Sequence, residues 1–224
     1  PAAPMTSPRD WALLVFLKAP RPGRVKTRLA AGLGPEGPAR AAAIYRRLVE
    51  TTVAETHALA RTGVRVVLCV EPRDALGEVE TWLGDDPILA AQAPGDLGAR
   101  LATAMRDAFA AGASRVVVVG SDCPGFRAAH AALAFRALDD VDLVIGPARD
   151  GGYWLIGARD GVPPVFDGVA WSTPEVFAAT RALASEAGLT VERLETLGDV
   201  DTVEDLALLQ GDPRFEPVRG VGQG

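Results

Sequence analysis

Short apolar runs rich in β-branched residues alternate along this chain with longer segments whose apolar positions recur every three to four residues. WALLVFL (11–17), VRVVLCV (64–70) and RVVVVG (115–120) are continuous apolar runs of the kind buried on both faces of a sheet. VDLVIGPA (141–148) and YWLIGA (153–158) predict two more strands, PILAAQ (87–92) a weaker one and TVERLE (190–195) a last one. GPEGPARAAAIYRRLVETTVAETHALA (34–60) predicts one long Ala-rich helix entered after two prolines. DALGEVETWL (74–83) predicts a short helix, and 97–112 a longer one, with Leu101, Met105 and Phe109 at four-residue steps and Gly112 as its stop. A helix over 126–138 follows the strongest strand. TPEVFAATRALASEAG (173–188) is punctuated by Thr173, Pro174 and Glu175 at its start and Gly188 at its end. TVEDLALLQ (202–210) predicts a terminal helix with Thr202 and Asp205 as its capping residues.

Strands alternating with helices imply the α/β class: a single domain with a mostly parallel central sheet and helices on both faces. No stretch inside the chain has a linker's composition, so the domain is expected over 11–210. Residues 1–10 are expected to be a disordered lead-in and 211–224 a loose Gly/Pro-rich tail. A hydrophobic content of 48% is enough for a sizeable core. The net charge of −6 and pI near 5.0 argue against nucleic acid or an anionic membrane as a general partner. No apolar run reaches the roughly 20 residues of a membrane span, and the first ten residues lack the apolar segment of a secretory signal. Cys69 and Cys123 form no disulfide framework; a cytoplasmic, reducing compartment is the expectation.

In open parallel sheets ligands bind at the carboxyl ends of the strands, so the residues there carry the chemistry. The first strand runs into FLKAPRPGRVKTRL (16–29), where Lys18, Arg21, Arg24, Lys26 and Arg28 crowd together with no carboxylate among them. Pro20 and Pro22 stiffen this loop, and Gly23 lets its backbone bend close to a ligand. Such a cluster is either a solvated basic loop or a grip for a polyphosphate, with Arg forks taking oxygens two at a time. It is not a Walker loop, since it lacks GxxxxGK[ST].

RVVVVG ends in SDCPGF, which puts Asp122 beyond a fully apolar strand beside a Pro-Gly turn. Asp122 either caps the 126–138 helix or ligates a divalent metal, with Ser121 able to assist in either role. Asp150-Gly151-Gly152, between two strands, reads as a turn, as a site offering backbone amides to a polar substrate, or as both. Tyr153 and Trp154 read as core. Asp199, Asp201, Glu204 and Asp205 fall within seven residues, more than helix capping needs. Asp201 is the choice for a second metal ligand and Asp205 for the cap. Arg100, after the Gly-rich turn GDLGARL, contacts a base or phosphate, or forms a surface salt bridge. His57 and His130 have no partner at metal-ligand spacing. No Ser/His/Asp, Cys/His or HExxH arrangement supports nucleophilic hydrolysis.

Together, KAPRPGRVKTRL, GSDCPG, GPARDGGYWLIG, FDGVAWST and LGDVDTVEDL, in that order across 11–210, resemble a glycosyltransferase A-like family. It was first catalogued as a domain of unknown function, and its members are called selenodomain-associated or arsenosugar-biosynthesis transferases. The pattern is similar to, but distinct from, that of the 2-phospholactate guanylyltransferases. The resemblance implies a nucleotide-diphospho-sugar transferase fold with Mg²⁺ or Mn²⁺ at the strand ends, held by Asp122 and Asp201. It places the nucleotide phosphates on Lys18, Arg24, Lys26 and Arg28 of the loop that also holds Gly23 and Thr27. It puts the acceptor on Asp150, Gly151 and Gly152, and leaves Trp171-Ser172-Thr173 without a role. The expected activity is nucleotidyl transfer from a nucleoside triphosphate to a small phosphate-bearing or oxyanion acceptor, with Lys26, Arg28 and Asp122 as the catalytic groups. The alternatives are glycosyl transfer from a nucleotide sugar and nucleotide binding without turnover.

Overall fold

A computed structural model describes residues 10–84 and 87–216. Of the expected lead-in, residues 1–9 lie outside the described residues. The strands are β1 (Trp11–Lys18), β2 (Arg65–Glu71), β3 (Ile88–Ala91), β4 (Arg115–Gly120), β5 (Leu143–Pro147), β6 (Tyr153–Arg159) and β7 (Val191–Arg193). They form one sheet in the order β3-β2-β1-β4-β6-β5-β7. Every pairing is parallel except those of β6, which runs antiparallel to both β4 and β5. The expected class, α/β with a mostly parallel sheet, is borne out.

The helices are α1 (Thr27–Gly32), α2 (Gly37–Ala60), α3 (Leu76–Leu83), α4 (Leu97–Ala110), α5 (Ala128–Ala137) and α6 (Val176–Glu186). Alternate side chains of a strand point to opposite faces, and β1 shows both cores at once. Leu13, Val15 and Leu17 join Tyr45, Val49 and Val53 of α2, Val79 of α3 and Phe135 of α5. Ala12 and Leu14 join Leu101 and Met105 of α4 and Ala184 of α6 on the other face. Both faces are thus covered, which is why the central strands read as unbroken apolar runs.

Three elements depart from expectation. The basic loop closes into α1, a helix that its charged sequence hides because only Leu29 and Ala30 are buried in it. The segment predicted as a terminal α-helix over 202–210 is a 3-10 turn over Glu204–Leu209. The tail is not loose over 212–216. Phe215 is 1% exposed in a satellite core with Leu29, Ile44, Leu48 and Val200. Arg214 donates to Pro124 O at 2.6 Å and to Glu55 Oε1 at 3.0 Å, while Arg127 donates to the same Pro124 carbonyl at 2.9 Å. This clasp ties the end of the described chain to the loop that carries Asp122. Residues 217–224 lie outside the described part. Among the described residues no helix is long and apolar enough to cross a membrane.

Candidate active site

The strand order reverses at β1, whose neighbours β2 and β4 lie on either side of it, so the carboxyl ends of β1 and β4 are the switch point where sheets of this kind hold their ligands. The basic loop leaves β1 there, and Asp122 follows β4. A buried tyrosine from α2 braces the two ends: the Tyr45 hydroxyl accepts from Lys18 N at 2.9 Å and sits 3.0 Å from Ser121 Oγ. Burial, chiefly, pushes its phenol up to about 12, so it stays neutral.

Residues from opposite ends of the sequence meet over this brace. Lys26 Nζ donates to Asp122 Oδ2 at 2.8 Å and lies 3.8 Å from Asp201 Oδ1. Arg28 donates to the other oxygen of Asp201 at 3.1 Å. The Lys26 side chain is 8% exposed, against 38% for Asp122 and 35% for Asp201. Burial alone would lower the Lys26 ammonium, but the charge and hydrogen bond of Asp122, then Asp201 and Asp199, hold it above its usual value. Burial likewise pushes the Asp122 carboxyl up, and the Lys26 ammonium outweighs it and keeps it below the usual range. The Lys26 backbone is left-handed, at φ 47° and ψ 49°, a conformation a lysine adopts only when its surroundings impose it.

The alternative role for Asp122 is thereby removed. The start of α5 is capped by others: His130 Nδ1 accepts from Arg127 N at 3.0 Å and Glu55 Oε2 from Ala128 N at 3.0 Å. The expected cap is corrected: the 3-10 turn is entered at Val203 with no side-chain cap, and the Asp205 carboxylate instead accepts from Asp201 N, Thr202 N and Thr202 Oγ1 ahead of it. Val200 N donates to Asp122 O at 3.1 Å, locking the late acidic segment to the β4 loop.

The rest of the basic loop divides. Lys18 lies 3.6 Å from Glu71 and is half exposed. Arg21 turns away, with Nε 2.8 Å from Glu78 and Nη1 3.2 Å from Asp74. Gly23 takes φ 73° in an exposed turn, Arg24 is exposed with no carboxylate partner among the described residues, and Thr27 opens α1 facing solvent. Arg100 forms an ion pair, donating to Glu71 Oε2 at 2.7 Å and Gln92 Oε1 at 3.2 Å across the ends of β2 and β3.

The Asp150 turn corrects one expectation. Gly152 N donates to Asp150 Oδ1 at 2.9 Å and Gly151 N to Ala148 O at 3.2 Å, so the turn itself consumes the two amides expected to greet a substrate. Trp171 packs against Gly98 at the start of α4, where an added Cβ would stand 2.6 Å from the ring, and lies edge-on to Tyr153 at 6.3 Å. The Trp171-Ser172-Thr173 segment therefore joins α4 to β6. Trp154 is core, as expected, and 4% exposed.

Asp199 carries a signal that its sequence position hides. Burial, then the Asp122 and Asp150 carboxylates, push it up to about 6, with Lys26 pulling the other way. A carboxyl raised above its unfolded value costs stability when ionised: the cost is absent near pH 4 and develops as pH rises through 6. In EDTA, Asp199→Asn is therefore expected to stabilise the protein at pH 8 by about 1–2 kcal/mol, after discounting for partial exposure. The gain should vanish near pH 4 in urea titrations at the two pH values.

The donors on offer suit a hard cation. They are carboxylate oxygens, and the neighbouring Cys123 thiol is buried and pushed up to about 12, so it supplies no thiolate. Among the described residues no group of three or more His, Cys, Asp or Glu side chains forms a ready metal cage. Asp122 and Asp201 present carboxylate oxygens of the kind that Mg²⁺ or Mn²⁺ takes one or two at a time.

A family model described as an uncharacterized protein conserved in bacteria (DUF2064) matches residues 52–173, more than half of the chain. The chain belongs to this family. A crystal structure from Desulfovibrio desulfuricans G20, provisionally named a nucleotide-diphospho-sugar transferase, is 36% identical, with a TM-score of 0.86 over 96% of this chain and 94% of that one. A nucleotidyl transferase from Methanothermobacter superposes with a TM-score of 0.59 at 19% identity, covering 89% of this chain and 95% of that one. A 4-diphosphocytidyl-2C-methyl-D-erythritol synthase from Anaerococcus prevotii DSM 20548 gives 0.55 at 10% identity, covering 88% and 95%. The last two likenesses speak for the fold. No curated protein matches the chain.

Proposed function

We propose that this protein is a transferase that moves a nucleoside monophosphate from a nucleoside triphosphate to a small acceptor bearing a phosphate or other oxyanion, releasing pyrophosphate. One observation carries the reading: Lys26 and Arg28 meet Asp122 and Asp201 in one crevice, from positions 96 and 173 residues apart. Cations and carboxylates brought together from such distances are what a polyphosphate and a hard cation require of each other.

Lys26 and Arg28, with Lys18 and Arg24 at the rim, grip the phosphates and neutralise charge on the departing pyrophosphate. Gly23 gives the loop its bend, Thr27 sits at the phosphate end of α1, and Arg100 lies on the β2–β3 side where the nucleoside extends. Asp122 and Asp201 would hold a divalent cation, Mg²⁺ or Mn²⁺, with Asp199 close by. When bound, that cation polarises the phosphoryl oxygens. The acceptor approaches along the Asp150–Gly152 turn, where the Asp150 carboxylate, rather than the glycine amides, orients it. No protein nucleophile is needed, because in-line displacement at phosphorus depends on positioning and charge neutralisation.

A second reading, glycosyl transfer from a nucleotide sugar, draws support from the provisional name of the Desulfovibrio protein and from the Asp199-x-Asp201 pair beside Lys26. Thermal unfolding with nucleoside triphosphates and sugar nucleotides, each with and without Mg²⁺, separates the two. A true donor at 100 times its dissociation constant adds about 2.7 kcal/mol, or about 5–10 °C for a protein of this size. Stabilisation by a triphosphate together with pyrophosphate release supports nucleotidyl transfer. Stabilisation by sugar nucleotides alone overturns it in favour of glycosyl transfer. Binding with no product from any donor–acceptor pair overturns both in favour of a nucleotide-binding domain without turnover.

A further inference from the structure

The Lys26 ammonium lies between the two carboxylates proposed to hold a metal. Its Nζ is in contact with Asp122 Oδ2 and 3.8 Å from Asp201 Oδ1. Arg28 covers the second oxygen of Asp201. In the free protein each carboxylate thus already has a cation. The ammonium is the buried member of the pair and the carboxylates are the open ones, so a metal approaching Asp122 from solvent meets a carboxylate already neutralised through its Oδ2. An ammonium and a dication at one carboxylate repel each other, which offsets part of what each gains from the acid. The left-handed backbone pins the Lys26 Cα, whereas four methylenes let its head group move several ångströms without disturbing α1.

Building on the nucleotidyl-transfer reading, we propose that Lys26 is the resident counter-ion of the metal seat, exchanged on substrate binding. Polyphosphate draws the ammonium off Asp122, and the vacated carboxylate then accepts the divalent cation. Metal and polyphosphate affinities are therefore coupled through this one side chain. The coupling is reciprocal, as linkage demands: whatever frees Asp122 favours metal, and whatever frees Lys26 favours phosphate.

Two titrations test this without any nucleotide. In the first, Mn²⁺ alone is titrated into metal-free protein and followed by water proton relaxation. Lys26→Met is expected to bind Mn²⁺ about 10-fold or more tighter than wild type, while Lys26→Arg stays close to wild type. Lys18→Met, which removes the same charge from the same loop but from the partner of Glu71, is the control for a general field effect. In the second, inorganic tripolyphosphate is titrated calorimetrically in EDTA. Asp122→Asn is expected to bind it about 10-fold tighter than Asp150→Asn, which makes the same charge change without releasing Lys26. A Mn²⁺ gain in Lys26→Met no larger than in Lys18→Met overturns the proposal. So does equal tripolyphosphate affinity in the two Asn variants. If Lys26→Met does not fold, the tripolyphosphate comparison decides alone. A protein that turns over no nucleotide would defeat the reading of function and leave both titrations standing.

Discussion

Asp122→Asn is expected to lower pyrophosphate release about 100-fold or more, the loss typical of removing one well-placed electrostatic stabiliser. The substitution keeps the size of the side chain, so what it removes is the charge that holds Lys26. That charge has two uses. It holds Lys26, whose ammonium would otherwise be pulled down by burial, and it supplies an anionic oxygen to a cation that displaces Lys26. Two unit charges about 4 Å apart interact with roughly 4 kcal/mol at an effective dielectric of 20. The corresponding factor in rate would be about 10³, and solvent at the exposed carboxylate face reduces it. The measurement is initial-rate pyrophosphate release at saturating triphosphate and Mg²⁺, with circular dichroism to show that the fold is retained. Asp205→Asn serves as the contrast, because that carboxylate is occupied with three donors of its own turn. Turnover by Asp122→Asn at the wild-type rate would remove the assignment.

Much of this crevice is legible in the sequence because charge was placed against hydrophobicity. Five cations without an acid after a buried strand, and an aspartate after the most apolar one, mark two strand ends. A parallel sheet must then bring such ends to one side. What the sequence conceals is how the charges divide. Arg21 looks equivalent to Lys26 in the loop, yet it pairs with Asp74 and Glu78, and no local pattern distinguishes an arginine bound for the flank from a lysine bound for the crevice. Tyr45 is hidden among the apolar positions of a long helix, where its ring reads as core and its hydroxyl goes unnoticed. Asp199 and Asp201 differ only by one step in a loop. Asp201 meets both Lys26 and Arg28, whereas Asp199 feels the Asp122 and Asp150 carboxylates.

The fold shows the same division. The two-sided cores follow from strand periodicity, but the antiparallel course of β6 depends on a turn whose glycines look the same in sequence. The tail looked loose from its glycines and prolines, and Phe215 and Arg214 dock it through contacts with α2 and the β4 loop, which no local propensity encodes.

Those two glycines differ in what they must accommodate, and Gly151→Ala is expected to be far more damaging than Gly152→Ala. Gly151 has φ 90°, which strains any L side chain, and a Cβ built on it would lie 2.1 Å from Pro174 O. Its own carbonyl accepts from Phe177 N at 2.9 Å, at the start of α6. The turn and the loop entering α6 are thus in backbone contact, and neither can retreat without breaking that bond or the Asp150–Gly152 bond beside it. At Gly152 a Cβ would meet only the Asp150 carboxylate oxygen at 3.2 Å, a side-chain atom that can shift by a few tenths of an ångström. Backbone strain and a clash with a fixed carbonyl together should cost Gly151→Ala about 2–4 kcal/mol, against under about 1 kcal/mol for Gly152→Ala. For a chain of this length, that separates the two unfolding midpoints by about 2–16 °C. Calorimetry on the two variants gives the comparison directly. Equal midpoints would mean that the turn is free to move away from Pro174. Asp150 would then not be held in place by the α6 entry, and its carboxylate could not serve as a fixed guide for an acceptor.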